Sequence, residues 1–304
     1  MTKGCPTALF VVTGDDCVDK IVNTGMKIDL HIHSQASSAK DGIKVRNNTK
    51  ANIPLLVSKL NENRVNICSI TDHDTFSYEM YSSLKAAEAE DNSIKKVLPG
   101  VEFSVEFCAG EITRDIHVVA IFSDSNDNKV KRIESILNEK KPNGGFSYTE
   151  EEFLDILRAI DIDTVLIAHQ KGTLTSQKAR KNDANSLGNE KFLEFVYTDY
   201  FEAYEFKNKR NEVFNKEYLI STNLKEAVRF LTGTDCHEWS CYPFEDATDN
   251  ATEFPYTYAK CLPTFKGLVM AITDHRRLKT ENSFFNVDKR FLESIDIKSN
   301  GLMV

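Results

Sequence analysis

The placement of histidine limits what this chain can fold into more than any other feature. Five of the seven histidines (His31, His33, His73, His169 and His237) stand at or just past the C-terminal end of a β-rich run. The runs are 27–33, 65–74, 97–107, 116–123, 163–170, 200–206 and 228–237, and most end in a polar cluster. Helical patterns fall between them, at 51–63, 77–90, 128–140, 149–160, 189–197, 208–219 and 264–273. Strands alternating with helices predict βα units on a parallel sheet. Seven strands fit a closed or nearly closed α/β barrel, where catalytic groups gather at the C-terminal strand ends. Fold and histidine placement thus make one prediction.

Local signals support the elements. Thr149 can cap the helix it opens, with Glu152 three residues on as in a capping box. Phe153, Leu154, Ile156, Leu157 and Ile160 then share a helical face. Pro142 to Gly145 marks a loop, as does Asn185 with Gly188. Thr173 to Asn189, rich in Lys, Ser and Asn, reads as a long exposed loop. Residues 1–26 read as an N-terminal arm, 27–280 as the domain and 281–304 as a C-terminal extension.

The ligand-capable residues follow in a definite order. His31 and His33 are two apart on a strand, so their side chains share a face. Asp72, His73 and Asp74 follow an apolar run, where Asp74 or Thr75 can also serve only as a helix cap. Glu102 is a lone carboxylate between Val101 and Phe103, and such a group is expensive unless paired or metal-bound. His117 lies near the start of an apolar run, a position more often held by a core histidine. His169 ends TVLIAHQ, and Asp235 and His237 again stand two apart at a strand end. Each signal is modest singly; the set points to a cluster of divalent cations. Imidazole with carboxylate and no thiolate suits Mn, Zn or Fe better than Ca.

Several classes are disfavoured. The seven cysteines are odd in number, irregularly spaced and without a C-x-x-C pair, which argues against a disulfide framework or Cys-rich zinc site. No run approaches the roughly 18 apolar residues of a membrane span, so a cytoplasmic location without membrane partners is expected. No G-x-S-x-G or P-loop pattern occurs. A balance of 46 acidic to 38 basic residues, net −8, argues against nucleic-acid binding over the whole surface. It leaves room for a local basic patch. Lys171, Lys178, Arg180 and Lys181 follow His169, and Lys207, Lys209 and Arg210 follow another strand end. These are the candidate substrate-binding residues, with solvated loops as the plainer alternative. Tyr197, Tyr200, Phe201 and Tyr204 offer stacking faces or, more commonly, core.

The order DLHIHS, TDHDT, GVEFS, an isolated strand histidine, AHQKG and GTDCHE resembles the PHP (polymerase and histidinol phosphatase) superfamily over roughly Lys27 to Arg277. The resemblance implies a distorted (β/α)7 barrel with two or three metal ions at the C-terminal strand ends. By motif, His31, His33, Glu102 and Asp235 would hold one metal. Glu102, bridging, would hold a second with His117 and His169, and His73 and His237 would belong to a third. The third normally takes a His or Asp seven or eight residues after the first motif histidine. Ser38 and Ala39 stand there, and Asp41 is the nearest substitute. More narrowly, LPTFKGLVMAITDHRR (262–277) is similar to the end of PHP domains fused to SMC- or ABC-like ATPase domains, several of them linked to phage defence. FLESIDIKSNGLMV at 291–304 reads like the opening strand of such a domain, so an ATPase domain or subunit is an expected partner.

These readings converge on a metal-dependent phosphodiesterase, a nuclease hydrolysing nucleic acid with a metal-activated water, with Asp72 and His237 as candidates for proton transfer. The alternatives are a small-molecule phosphomonoesterase of histidinol-phosphatase type and a non-catalytic metal-binding module.

Overall fold

The computed structural model describes residues 25–280, except 90, 143–145, 173, 175–179, 207–217, 225–226 and 250. Almost all of the expected arm and extension, most of the helix expected at 208–219, and Lys178, Lys207, Lys209 and Arg210 lie outside the described residues.

The apolar runs become strands β1 (Met26–Ile32), β2 (Ile67–Ile70), β3 (Lys96–Ala109), β4 (Ile112–Phe122), β5 (Tyr148–Thr149), β6 (Thr164–His169), β7 (Ala203–Phe206), β8 (Phe230–Thr232), β9 (Thr257–Ala259) and β10 (Leu278–Lys279). They form one sheet in the order β10-β9-β1-β2-β3-β4-β6-β7-β8, with β5 added beside β3. The two sides of this path meet again. Past β8, the Asp235 amide donates to the His31 carbonyl (2.9 Å) and the His33 amide to the Cys236 carbonyl (3.0 Å). Lower down β9 fills the gap, where the Thr232 and Thr257 hydroxyls each accept from the other's amide. The result is a distorted seven-stranded α/β barrel of β1, β2, β3, β4, β6, β7 and β8.

Besides β9 and β10, which pair antiparallel at one edge, one of the seven barrel strands departs from the all-parallel expectation. β4 runs antiparallel to both β3 and β6. Only Gly110, at φ +60°, and Glu111 separate β3 from β4. A parallel connection needs a dozen or more residues, so a two-residue link forces a hairpin. The reversal brings the start of β4 level with the C-terminal ends of its neighbours, and His117 comes to the same mouth as the other histidines.

A second irregularity sits in β1. Asp29 pairs with Cys68, yet Ile32 pairs with Ile70, so β1 carries one extra residue. Such a bulge resets the alternation of faces. Ile28 packs into the inner apolar cluster with Ile67, Leu98, Val119 and Ile167, while Ile32 packs with the outer one. Without the bulge, His31 and His33 would lie opposite the inward Ile28.

Around the barrel lie α1 (Ser38–Asp41), α2 (Ile53–Glu62), α3 (Tyr78–Lys85), α4 (Asp127–Glu139), α5 (Glu150–Ile160), α6 (Asn189–Tyr197) and α7 (Phe265–Ile272). Ser77 and Asn126 cap α3 and α4 through their side chains, and α5 begins with the full Thr149–Glu152 capping box. α5 buries Phe153, Ile156 and Ile160, and Phe153 meets Phe103 of β3 edge to face at 5.1 Å. Each such burial stabilises by about 1.5–3 kcal/mol, which outweighs helix propensity in holding α5. Among the described residues no helix is long and apolar enough to cross a membrane.

Two expectations change here. The described part of 173–189 is exposed at Arg180, Lys181, Gly188 and Asn189 but built into the fold between them: Asp183, Ala184 and Leu187 are buried, and the Asp183 carboxylate accepts from the Lys171 and Gly172 amides. Phe201 and Tyr204 are core, whereas Tyr197 is exposed.

Candidate metal centre

Each strand end contributes one or two side chains to a single buried cluster. At the end of β1, His31 Nδ1 lies 2.8 and 3.0 Å from the Glu205 oxygens. An ionised carboxylate only accepts, so Nδ1 carries a proton and Nε2 turns inward. Against burial, Glu205, Glu102 and Asp235 hold the imidazole well above its usual range. Gly233 makes this pair possible: a Cβ there would stand 2.2 Å from Glu205 Oε2 and 2.7 Å from His31 Cβ.

Glu102, on β3, is the hub. Its Oε2 lies 3.1 Å from His31 Nε2, 3.3 Å from His33 Nε2 and 3.1 Å from His73 Nδ1. Its Oε1 lies 2.9 Å from His117 Nδ1 and 2.9 Å from His169 Nε2. Both oxygens are fully buried, yet neither has a hydrogen bond, and the same holds for His169 Nε2 and His73 Nδ1. Buried polar atoms almost always find partners. Carboxylate oxygens and imidazole nitrogens that converge in this way offer the lone pairs a divalent cation requires, once it displaces the protons, so the donor set fits such ions.

Two further groups complete the cluster. Asp235, held at φ +53° where the chain turns out of the barrel, places Oδ1 3.3 Å from His31 Nε2 and 3.2 Å from His33 Nε2. Its Oδ2 accepts from Lys171 Nζ at 2.6 Å. Beside this lies Asp41 from α1, with its oxygens 3.3 Å from His237 Nε2, 3.4 Å from His73 Nε2 and 3.5 Å from His33 Nδ1. His237 Nδ1 donates to its neighbour's carbonyl, that of Asp235, at 2.8 Å, which leaves Nε2 to face Asp41. The ligand atoms of His31, His33, Glu102 and Asp235 fall within 4.8 Å of one another, as do those of His33, Asp41, His73 and His237, and of His73, Glu102 and His117. A neutral imidazole has one lone pair, so His33 and His73 each serve one group at a time.

The charges are arranged to keep carboxylates ionised. Burial alone would raise their pKa values, but the imidazoles of His73, His31, His117 and His169 hold Glu102 well below its usual range. Burial is likewise outweighed at Asp235, by Lys171 and His31. Glu205 is brought down to about 2 by His31 and Lys171, again against burial, and Asp41 to about 2 by His237, His33 and His73. Burial lowers His73 to about 3 and His169 to about 4, the latter helped by Lys171, so both stand as neutral bases. At His33 burial is overcome by the neighbouring carboxylates of Asp235 and Glu102, and the value rises to about 9.

The sequence-predicted residues therefore fall into distinct places. His31, His33, Asp41, His73, Glu102, His117, His169, Asp235 and His237 all come together. Asp72 does not take the proton-transfer position expected of it: its two oxygens accept from the Ser34 amide and hydroxyl, each at 2.6 Å, so it fixes the loop after β1. Lys171, expected on an exposed rim, is buried within the cluster. Arg180 and Lys181 are exposed. Sequence reading missed Glu205, Gly233 and Asn182, whose side-chain amide lies 2.5 Å from His117 Nε2. The signal for Glu205 was present, as a lone carboxylate in an apolar strand like Glu102. Burial at two positions along β7 from Ala203 would have set it on the inward face.

No protein-family model matches the chain, and no curated protein sequence does. Three solved structures are similar in part. A protein of Bifidobacterium adolescentis, described as a candidate metal-dependent phosphoesterase, shares 13% identity over 82% of this chain and 96% of its own, with a TM-score of 0.43. PsfC of Pseudomonas syringae shares 14% over 83% and 90%, with a TM-score of 0.45. An amidohydrolase of Chromobacterium violaceum, with bound sulfate, shares 16% over 72% and 89%, with a TM-score of 0.39. Likeness at this level is too low to assign an activity, and the assignment rests on the geometry of the cluster.

Proposed function

We propose that this chain is a metal-dependent phosphoesterase of the PHP type and that its substrate is a phosphodiester of nucleic acid. The observation that carries the reading is Glu102, a buried carboxylate with five imidazoles closing on its two oxygens and no hydrogen bond to either. His31, His33, Glu102 and Asp235 would hold one cation, His117 and His169 with Glu102 a second, and Asp41, His73 and His237 a third. Bound there, Mn, Zn or Fe would supply Lewis acidity toward a phosphoryl oxygen and would acidify water.

The chain's own residues supply the rest. Lys171 sets a fixed positive charge against Asp235, where it can attract a phosphoryl oxygen. His237, with Nδ1 committed to a carbonyl, has one nitrogen, Nε2, to offer. It would be a ligand when the third site is filled and could exchange a proton with a leaving group only when that site is empty. Arg180 and Lys181, exposed on the loop that starts at Lys171, lie where a strand's backbone can be neutralised. A phosphomonoesterase is the second reading, favoured by the burial of Lys171, since a cation inside the cluster suits a small terminal phosphate better than a strand. The resemblance of residues 262–304 to ATPase-fused domains supports an ATPase partner and a role in phage defence.

The test is an assay of protein loaded with Mn²⁺ or Zn²⁺ against a labelled single strand, a duplex, an RNA and a phosphomonoester. Strand cleavage that disappears in Asp235→Ala and His31→Ala supports the nuclease. Phosphate release from the monoester alone promotes the second reading. Full metal content without turnover of any substrate contradicts both.

A further inference from the structure

Asp41 joins the cluster although α1, which carries it, is only four residues long and buries no apolar side chain. Apolar packing does not hold it there. The neighbouring residue supplies another hold. Lys40 Nζ donates to Ser104 Oγ and to the Phe146 carbonyl, each at 2.6 Å, and forms an ion pair with the Asp74 carboxylate. Its side chain is 23% exposed and that of Asp74 is 9% exposed, so the pair is largely screened from water. Asp74 is itself tied to the hub strand: its Oδ1 accepts from the Ser104 amide at 2.8 Å, and its own amide donates to the Glu102 carbonyl at 2.8 Å. Ser104 pairs in register with His117 on β4. One ammonium group thus connects α1 to the turn after His73, to the strand of Glu102 and to the chain before β5.

We propose that Lys40 is a positioning residue for the outer cation site, the one formed by Asp41, His73 and His237 beside His33. It holds α1 against β3 so that Asp41 can complete that site. Among the described residues the Asp41 carboxylate meets only Ser37, one turn away on the same segment, and the imidazoles it would share with the cation. Loss of the Lys40 contacts removes the tie between α1 and β3 and lets α1 shift relative to the Ser34 anchor that Asp72 holds. The inner groups, built on β1, β3, β4, β6 and the turn after β8, do not depend on it. The proposal rests on the metal-centre reading and concerns one site within it.

Isothermal calorimetry and elemental analysis with Mn²⁺ separate the possibilities. Wild-type protein is compared with Lys40→Met, Lys40→Arg and the double variant Lys40→Met/Asp74→Asn, which leaves no uncompensated buried charge. Melting in chelator checks that each variant is folded. The expected result is that Lys40→Met and the double variant lose the weakest cation, or bind it about 10- to 100-fold less tightly, while the inner cations stay. Lys40→Arg restores most of the loss. Wild-type stoichiometry and affinity in the folded Met variants would overturn the proposal, and so would equal loss of every cation. Absence of Mn²⁺ from the wild type would instead overturn the metal centre itself.

Discussion

Two sets of buried carboxylates lie within one barrel and behave in opposite ways. At the mouth, Glu102, Asp235, Glu205 and Asp41 are surrounded by imidazoles and Lys171, and their pKa values fall despite burial. In the seam and loops around them, burial raises Asp29 to about 6 and also raises Asp72 and Asp183. Asp74 rises too, because burial there outweighs Lys40. The difference lies in the neighbours. Asp29 accepts from the Tyr242 and Thr234 hydroxyls (2.7 and 2.8 Å) and from backbone amides, which stabilise its charge less than cations do. Carboxylates fed by hydroxyls and amides act as struts; those fed by imidazoles form the candidate metal centre. Burial alone does not tell them apart.

That comparison can be broken by substitution. The largest effect belongs to the hub. Glu102→Gln keeps the shape but removes the charge that serves both halves of the cluster, and phosphoester hydrolysis should fall on the order of 10³-fold or more, measured as kcat/KM. Loss of less than tenfold would mean that Glu102 is another strut. Next is Asp29→Leu, which strands the donors of Tyr242, Thr234 and His31. At about 1–3 kcal/mol for a stranded donor, chemical denaturation should show a marked loss of stability, while the folded fraction keeps its metal content. Asp29→Asn should cost far less, since the two hydroxyls can turn to accept. A strut predicts that pattern, and a metal loss in Asp29→Asn would contradict it.

Smaller effects sharpen the boundary. Glu205→Gln, or Gly233→Ala crowding the same carboxylate, should weaken cation affinity by about 10- to 100-fold in calorimetry, because His31 loses its orienting acceptor. The smallest is a pH effect on metal-free protein. His33 rises from an ordinary value near 6.5 to about 9, so the folded state holds a proton that the unfolded state has lost between those values. The stability this contributes is fully present below about 6.5 and disappears as pH rises through about 9. Melting in chelator should therefore decline across that window. A cation needs the neutral imidazole, so metal-loaded protein should not show the decline, and loading near neutral pH should release protons. An equal decline with and without metal would remove His33 from the centre.

Much of this was legible in the sequence because both periodicities are local. The capping box at Thr149 and Glu152, the helix faces and the strand-final histidines each follow from a few adjacent residues. The reversed β4 was legible in principle, since two residues between β3 and β4 leave no room for a crossover. An apolar run reads the same in either direction, and the His117 position looked anomalous for that reason. The β1 bulge leaves no mark in DLHIH, as it arises from pairing with β2. Lys171 and Asp72 were misplaced because a charged side chain beside a strand end can turn inward or outward. Their partners, Asp235 and Ser34, are 64 and 38 residues away.

The most direct test of the account is elemental analysis of wild-type protein and Glu102→Gln after equilibration with Mn²⁺ or Zn²⁺ and removal of free metal. The account predicts two or three tightly held ions per wild-type chain and less than one in the variant. Fewer than one ion in the wild type, or equal content in both proteins, would contradict it.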